Sequence, residues 1–129
     1  MFACLHIIAN MKEVMYMKNE MDYYRKRAEL IGALANPYRL KIVEILAKGE
    51  LCLCEFNSAL DLDYSTISRH LTILKKAGIA RYRKEGKKVF YSLRTPCILN
   101  FLNCFDEVLR LNAEDCILPS QHKEKGETL

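Results

Sequence analysis

The sequence predicts a mainly α-helical chain that carries one β-hairpin and works as a dimer. Three observations support this reading. Helix-forming segments are separated by Asn-Pro, Gly, Asp and Gly punctuation, and two short β-prone runs flank the charged turn "KEGKK". The last helical segment is apolar over two adjacent stripes, too much for one neighbour to cover, and a second copy is the ready source of that cover. Composition agrees, because half of the 129 residues are hydrophobic, 28% are charged, and five Gly and three Pro are few for a loop-rich or disordered chain. The length suits one domain.

From about Met11 to Ala35 the residues are good helix formers, and Tyr24, Ala28, Ile31 and Ala35 share one face. Asn36 and Pro37 end that helix and start a second, with Leu40, Val43 and Leu46 or Ala47 inward and Gly49 as its stop. Phe56, Ala59 and Leu60 suggest a short third helix through about Asp61. Asp63 then offers an N-cap for a fourth, with Ile67, Leu71 and Leu74 inward and Gly78 at its end. "IARYR" and "VFYSL" form the hairpin. Thr95 and Pro96 open the last helix, whose stripes are Ile98, Leu102, Phe105 and Leu109 beside Cys97, Phe101, Cys104 and Val108. Residues 1–20 read as an extension, with Met11, Met17 and Met21 all suited to be starts; residues 21–111 read as the domain and 112–129 as a polar tail.

Charge is focused on one stretch. Asp63 to Arg94 holds nine Lys or Arg against two acids, a local +7 in a chain of net +4, so the remainder is acidic. Basicity confined to one helix and one hairpin is an electrostatic footprint for nucleic acid. The outward arc of the fourth helix, with Tyr64, Ser65, Thr66, Ser68, Arg69 and Thr72 and with His70 at its edge, combines short donors with one guanidinium fork. Such a surface can approach a major-groove floor and pair with guanine edges. A solvated helix face would look similar, but the basic hairpin that follows, with Arg83, Lys84, Lys87 and Lys88, favours double-stranded DNA. His70 reads as a phosphate or capping contact.

The N-terminal "FACLHIIA" lacks a basic leader and is too short for a bilayer span, which predicts a cytoplasmic protein with no membrane partner. Six cysteines are then more readily thiols than disulfides. "CFDEVLR" from Cys104 to Arg110 has the C-x5-R spacing of thiol phosphatases but lies in a helix, carries two acids and lacks the glycine-rich loop that turns amides onto an oxyanion. No grouping of nucleophile, base and oxyanion donors is visible, so no enzyme is expected.

Taken together, "NPYRLKIVEIL", "GELCLCEF" and "STISRHLTILKKAGIARYRKEGKKVFYSL" resemble the ArsR/SmtB family of metalloregulatory winged-helix repressors, over roughly Leu30 to Phe105. The resemblance implies a winged helix-turn-helix homodimer held by its first and last helices. Helices three and four would be the helix-turn-helix and the hairpin its wing. It also implies an apo-repressor that leaves its operator when an inducer ion binds.

The family's arsenic and antimony sensors carry "ELCVCDLC", so Cys52 and Cys54 match two of three thiols and Asn57 replaces the third. A cadmium- and lead-responsive branch completes the pair with N-terminal cysteines of the partner subunit, for which Cys4 is available. The order of inducers is therefore As(III) or Sb(III), then Cd(II), Pb(II) or Zn(II) with Cys4, then a separate site of Cys97, Cys104 and Cys116. A thiol redox or persulfide sensor of the same fold is the alternative, and cysteines as small core hydrophobes are the bland one. Residues two apart on a regular helix point about 200° from each other. An ion gathering both thiols at the start of the third helix would thus strain the support of the recognition helix.

Overall fold

A computed structural model of the chain describes residues 20–117, which divide after Arg94 into two compact units. In the first unit, α1 (Glu20–Leu34) ends where Asn36 caps α2 (Pro37–Ala47), its side-chain oxygen accepting from the N–H groups of Tyr38 and Arg39. Pro37 occupies the first turn, where a missing N–H costs nothing. The chain then forms β1 (Leu51–Cys52), one 3-10 turn (Leu53–Glu55), α3 (Phe56–Leu60), α4 (Tyr64–Lys76), β2 (Ala80–Glu85) and β3 (Lys88–Leu93). The second unit contributes α5 (Ile98–Ile117).

Fold class matches expectation, with one strand more than expected. β1 pairs antiparallel with β3, giving a three-stranded sheet in the order β1-β3-β2. The hairpin closes over Gly86 and Lys87, with Glu85 opposite Lys88. Gly86 has φ +61 and Lys87 is not among the positive-φ residues, the pattern of a turn whose first central position favours glycine.

The core of this unit gathers Ile42, Val43 and Leu46 of α2, Phe56 and Leu60 of α3, Ile67, Leu71 and Leu74 of α4, and Tyr91 and Leu93 of β3. Each such side chain, fully buried, stabilises by about 1.5–3 kcal/mol. The inward face of α4 is as expected. On α2, Ile42 is buried and Leu40 is 36% exposed, because the buried stripe runs through 42, 43 and 46 and position 40 lies at its edge, beside 43. Ala59 of α3 is likewise exposed.

Asp61, with φ 52 and ψ 44, ends α3 in the left-handed conformation, which Asp tolerates better than most residues. Asp63 then caps α4, accepting from Thr66 N–H at 3.0 Å. At the far end Ala77 and Gly78 close the helix, Gly78 at φ +81. A three-residue link between α3 and α4 is thereby fixed from both sides.

On α1, Tyr24, Ala28 and Ile31 are exposed, and only Ala33 and Leu34 are buried. The stretch from Met11 to Asn19 of the expected first helix lies outside the described residues. In α5 the large apolar side chains are exposed or half-exposed, up to 65% at Leu109. Its helix continues past residue 111, where the polar tail was expected to start. Arg110 pairs with Glu107 and Glu114 and supports that extra turn.

Candidate nucleic-acid interface and thiol pair

The outward surface of α4 differs in detail from a row of free donors. Ser65 donates to Asp63, and so does the Thr66 hydroxyl, at 2.5 Å. These bonds hold the Asp63 carboxyl down at about 2. Thr72 returns its hydroxyl to the Ser68 carbonyl at 2.8 Å. Ser65, Thr66 and Thr72 therefore commit their hydroxyl protons within α4 and its cap. Tyr64, 54% exposed, and Arg69, also exposed, have no hydrogen-bond partner among the described residues, and Ser68 is half-exposed beside them.

His70, expected at the edge of the recognition arc, is half-buried against α2. Its ring stacks on Tyr38 at 5.9 Å between centroids, and Arg39 Nη1 lies 3.4 Å from Nδ1. Burial, then the positive charges of Arg39 and Arg69, push its pKa down, favouring the neutral ring. Arg39 also donates from Nε to Ala33 O at 2.5 Å and from Nη2 to Gly32 O at 3.5 Å. One guanidinium thus joins the carbonyl end of α1 to α4 through α2. No spacing in the sequence signals this contact, since positions 39 and 70 are 31 apart.

In the wing, Lys84, Lys87 and Lys88 are exposed, with no ion-pair partner among the described residues. Arg83 differs, because it is held by Glu50 and Glu85, at 2.7 Å in the second case. Arg83, expected among the DNA contacts of the wing, is thus paired within the protein while its side chain stays 51% exposed. Lys75 lies 4.2 Å over the Tyr82 ring, tying the end of α4 to β2.

The thiol pair is closer than helical geometry allows. Cys52 is extended, at φ −69 and ψ 144, and Cys54 follows in the 3-10 turn, so the expectation of thiols diverging on a regular helix does not hold. Cys54 Sγ donates to Cys52 Sγ at 2.8 Å. Glu55 Oε2 accepts from Cys52 N–H at 2.8 Å and fixes the turn. Cys52 is buried, 6% exposed, and Cys54 is exposed, so one thiol is anchored and the other faces outward.

The hydrogen bond from Cys54 pushes the Cys52 pKa down, helped by the Cys54 backbone and by Lys88 and opposed by burial and Glu55. The same bond pushes Cys54 up, as do burial and the negative charges of Cys52 and Glu55. The pair therefore gives up one proton readily and the second reluctantly.

Among the described residues no three His, Cys, Asp or Glu side chains gather into a metal-holding group. Cys4 lies outside the described residues. Cys97, Cys104 and Cys116 are exposed free thiols. Cys104 and Cys116, both on α5, stand about 18 Å apart along a regular helix and cannot share one ion within a chain. The Cys104 thiol donates to Asn100 O at 3.4 Å, and Arg110 is held by its acidic neighbours, so the C-x5-R spacing is part of an ordinary helix.

A short helix, a fixed turn, a helix with an outward guanidinium and a sheet with a lysine-bearing tip define a winged helix-turn-helix, DNA-binding transcriptional regulator. The chain belongs to the arsR family of bacterial regulatory proteins, the ArsR/SmtB-type transcriptional repressors, whose model matches residues 36–82. It is 40% identical over 89 residues to an uncharacterised HTH-type transcriptional regulator of Methanocaldococcus jannaschii, covering 68% of this chain and 100% of that one. It is 42% identical over 83 residues to a cadmium resistance regulatory protein CadC homologue of Staphylococcus aureus, covering 64% and 65%. It is 46% identical over 66 residues to the arsenical resistance operon repressor of Escherichia coli, covering 50% and 56%.

Among solved structures, Rv0081 of Mycobacterium tuberculosis matches with a TM-score of 0.65 at 30% identity, over 73% of this chain and 95% of that one. A homodimeric winged helix-turn-helix DNA-binding domain from Mycobacterium bovis matches with a TM-score of 0.57 at 26% identity, over 87% and 94%. The expectation of a regulator rather than an enzyme is met. No helix among the described residues is long and apolar enough to cross a membrane.

Proposed function

We propose that the protein is a cytoplasmic homodimeric repressor that holds a double-stranded operator and releases it when a thiophilic ion binds Cys52 and Cys54. The carrying observation is the pair of sulfurs 2.8 Å apart, one anchored on β1, which pairs with β3, and one outward in the 3-10 turn that follows. Soft thiolate donors favour As(III), Sb(III), Cd(II), Pb(II) or Zn(II) over hard cations. When bound, such an ion takes the place of the thiol protons. The relatives named for arsenical and cadmium resistance support this class of inducer. Arsenite or antimonite is placed first, with Cys4 or a C-terminal thiol as third donor, and cadmium, lead or zinc with Cys4 second.

In this reading Tyr64, Ser68 and Arg69 face the major groove, with Ser65, Thr66 and Thr72 lining the helix surface, and Lys84, Lys87 and Lys88 meet phosphates. The exposed apolar faces of α1 and α5 are what a second copy would cover, and the homodimeric relative supports that assembly. The close sulfurs also suit a second reading, in which an oxidant links them as a disulfide.

The experiment selects an operator duplex from random sequence, then titrates the reduced complex with arsenite, cadmium or hydrogen peroxide. Variants are Cys52→Ser, Cys54→Ser, their combination, and removal of residues 1–10. Release by arsenite that disappears in the double serine variant is the expected result. Full arsenite release by that variant would move the site to Cys97, Cys104 and Cys116. Loss of the cadmium response on truncation alone would assign Cys4, and release by peroxide only would favour the disulfide.

A further inference from the structure

The register of the sheet places Cys52 of β1, Phe90 of β3 and Arg83 of β2 on a single rung. Glu50 stands just ahead of β1, two residues before Cys52. The contacts agree with that placement. The Arg83 guanidinium lies 4.5 Å over the Phe90 ring and reaches across β3 to Glu50, with Nε at 2.9 and 3.1 Å from the two carboxylate oxygens and Nη2 at 2.5 Å. Its remaining arm, Nη1, meets Glu85 Oε2 at 2.7 Å.

All three nitrogens of Arg83 are therefore engaged inside the protein. A forked guanidinium on a carboxylate fixes direction as well as distance. The side chain is 51% exposed, so the pair adds little to stability, and its value lies in what it aligns. It aligns the segment that holds both thiols with the strand that leads into the wing tip. Lys84 adjoins Arg83, and the turn at Gly86 and Lys87 follows.

We propose that Arg83 is a positioning residue, not a phosphate contact, and that the Glu50–Arg83 pair across Phe90 transmits occupancy of the thiol pair to the wing. The inference rests on the thiophilic-ion reading above. A change in the spacing of the sulfurs moves the backbone from Leu51 to Cys54. Glu50 follows, Arg83 keeps its two-point hold on Glu50, and the lysines of the wing leave their register on the duplex.

The test measures operator affinity by fluorescence anisotropy over a range of salt, with and without saturating arsenite, and the same set with cadmium. Proteins are the wild type, Glu50→Gln, Arg83→Met and the double variant. Ion binding is followed separately by ultraviolet thiolate charge-transfer absorption. Expected is a wild-type loss of operator affinity of about 5–150-fold on ion binding, the usual range for linked sites. Each single variant should reduce that loss to about twofold or less, and the double variant should add nothing further, as residues of one pathway behave. Charge-transfer absorption and the ion-free salt dependence should stay as in wild type.

An ion-free salt slope shallower in Arg83→Met by about 1 per subunit would identify a phosphate contact and overturn the proposal. So would an undiminished ion response in either single variant. Should Arg83→Met fold poorly, Glu50→Gln, which keeps size and shape, decides alone. A wild type that answers no ion defeats the sensing reading and this inference with it, and is distinguished by failing before any variant is compared.

Discussion

Replacing Lys87 and Lys88 together by alanine tests the wing without disturbing the core. Each chain offers Arg69, Lys84, Lys87 and Lys88 as exposed cations with no partner among the described residues, while Arg83 is neutralised by its acids. In a dimer this makes eight phosphates neutralised, and log affinity should fall against log salt with a slope of about −7. Raising salt from about 50 to 200 mM then costs roughly 10⁴ in affinity. The double substitution removes four of the eight, leaving a slope of about −4 and a cost of only about 10² over the same range. The loss should be alike for specific and random duplexes, because phosphates carry no sequence. Anisotropy titrations of a labelled duplex at five salt concentrations suffice. An unchanged slope in the variant would refute the assignment of the wing to phosphates, and a wild-type slope near zero would refute the electrostatic reading altogether.

Three other outcomes follow from the same structure. Phe56 is fully buried in α3, so Phe56→Ala should destabilise by about 3–5 kcal/mol, a large share of the usual 5–15 kcal/mol, read as a lower denaturant midpoint at fixed protein concentration. Asp63 has its folded pKa depressed from 3.8 to about 2, so its cap is fully effective above the unfolded value and is lost as pH falls through about 2. Wild type and Asp63→Ala should therefore differ in denaturant midpoint near neutral pH and converge in strong acid; a difference that persists there would reject the carboxylate as the cause. Because Cys52 is pushed down and Cys54 up, the thiolate absorbance lost in the Cys52→Ser, Cys54→Ser double variant, which keeps the other thiols, should appear in two separated steps on raising pH, and cadmium affinity should rise across both. A single step, or a flat affinity profile, would argue against a shared proton between the sulfurs.

Much of this fold is legible because its boundaries are local. Asn36 before Pro37, Asp63 before a periodic run, and Gly78 and Gly86 at positive φ each act within a few residues of the feature they set. The buried stripe of α4 is regular, and Ile67, Leu71 and Leu74 stand out. What escapes a reading of the sequence is non-local or very short. β1 has two residues, too few to display an alternation, and its existence depends on a partner strand nearly 40 positions away. Missing β1 carried the geometry of the thiols with it, since a helical assumption separates two side chains that extended backbone at Cys52 brings together. A count of charges over the basic stretch does not show that Arg83 is paired, because Glu50 lies 33 residues upstream. The contacts of His70 with Tyr38 and Arg39 are hidden for the same reason, since both partners lie on another helix.

The Arg39 guanidinium, shared between the last carbonyls of α1 and the ring of His70, bears on how operators can vary in length. One planar group thus ties α1, α2 and α4, so that the reading helix is linked to the outer helix through a single side chain. In a homodimer of the proposed kind, one base pair inserted between half-sites turns the second half-site by about a tenth of a helical turn. That rotation would have to be absorbed at the subunit interface, by twisting the duplex or by surrendering one half-site. Natural operators should therefore tolerate substitutions in the spacer far better than changes in its length.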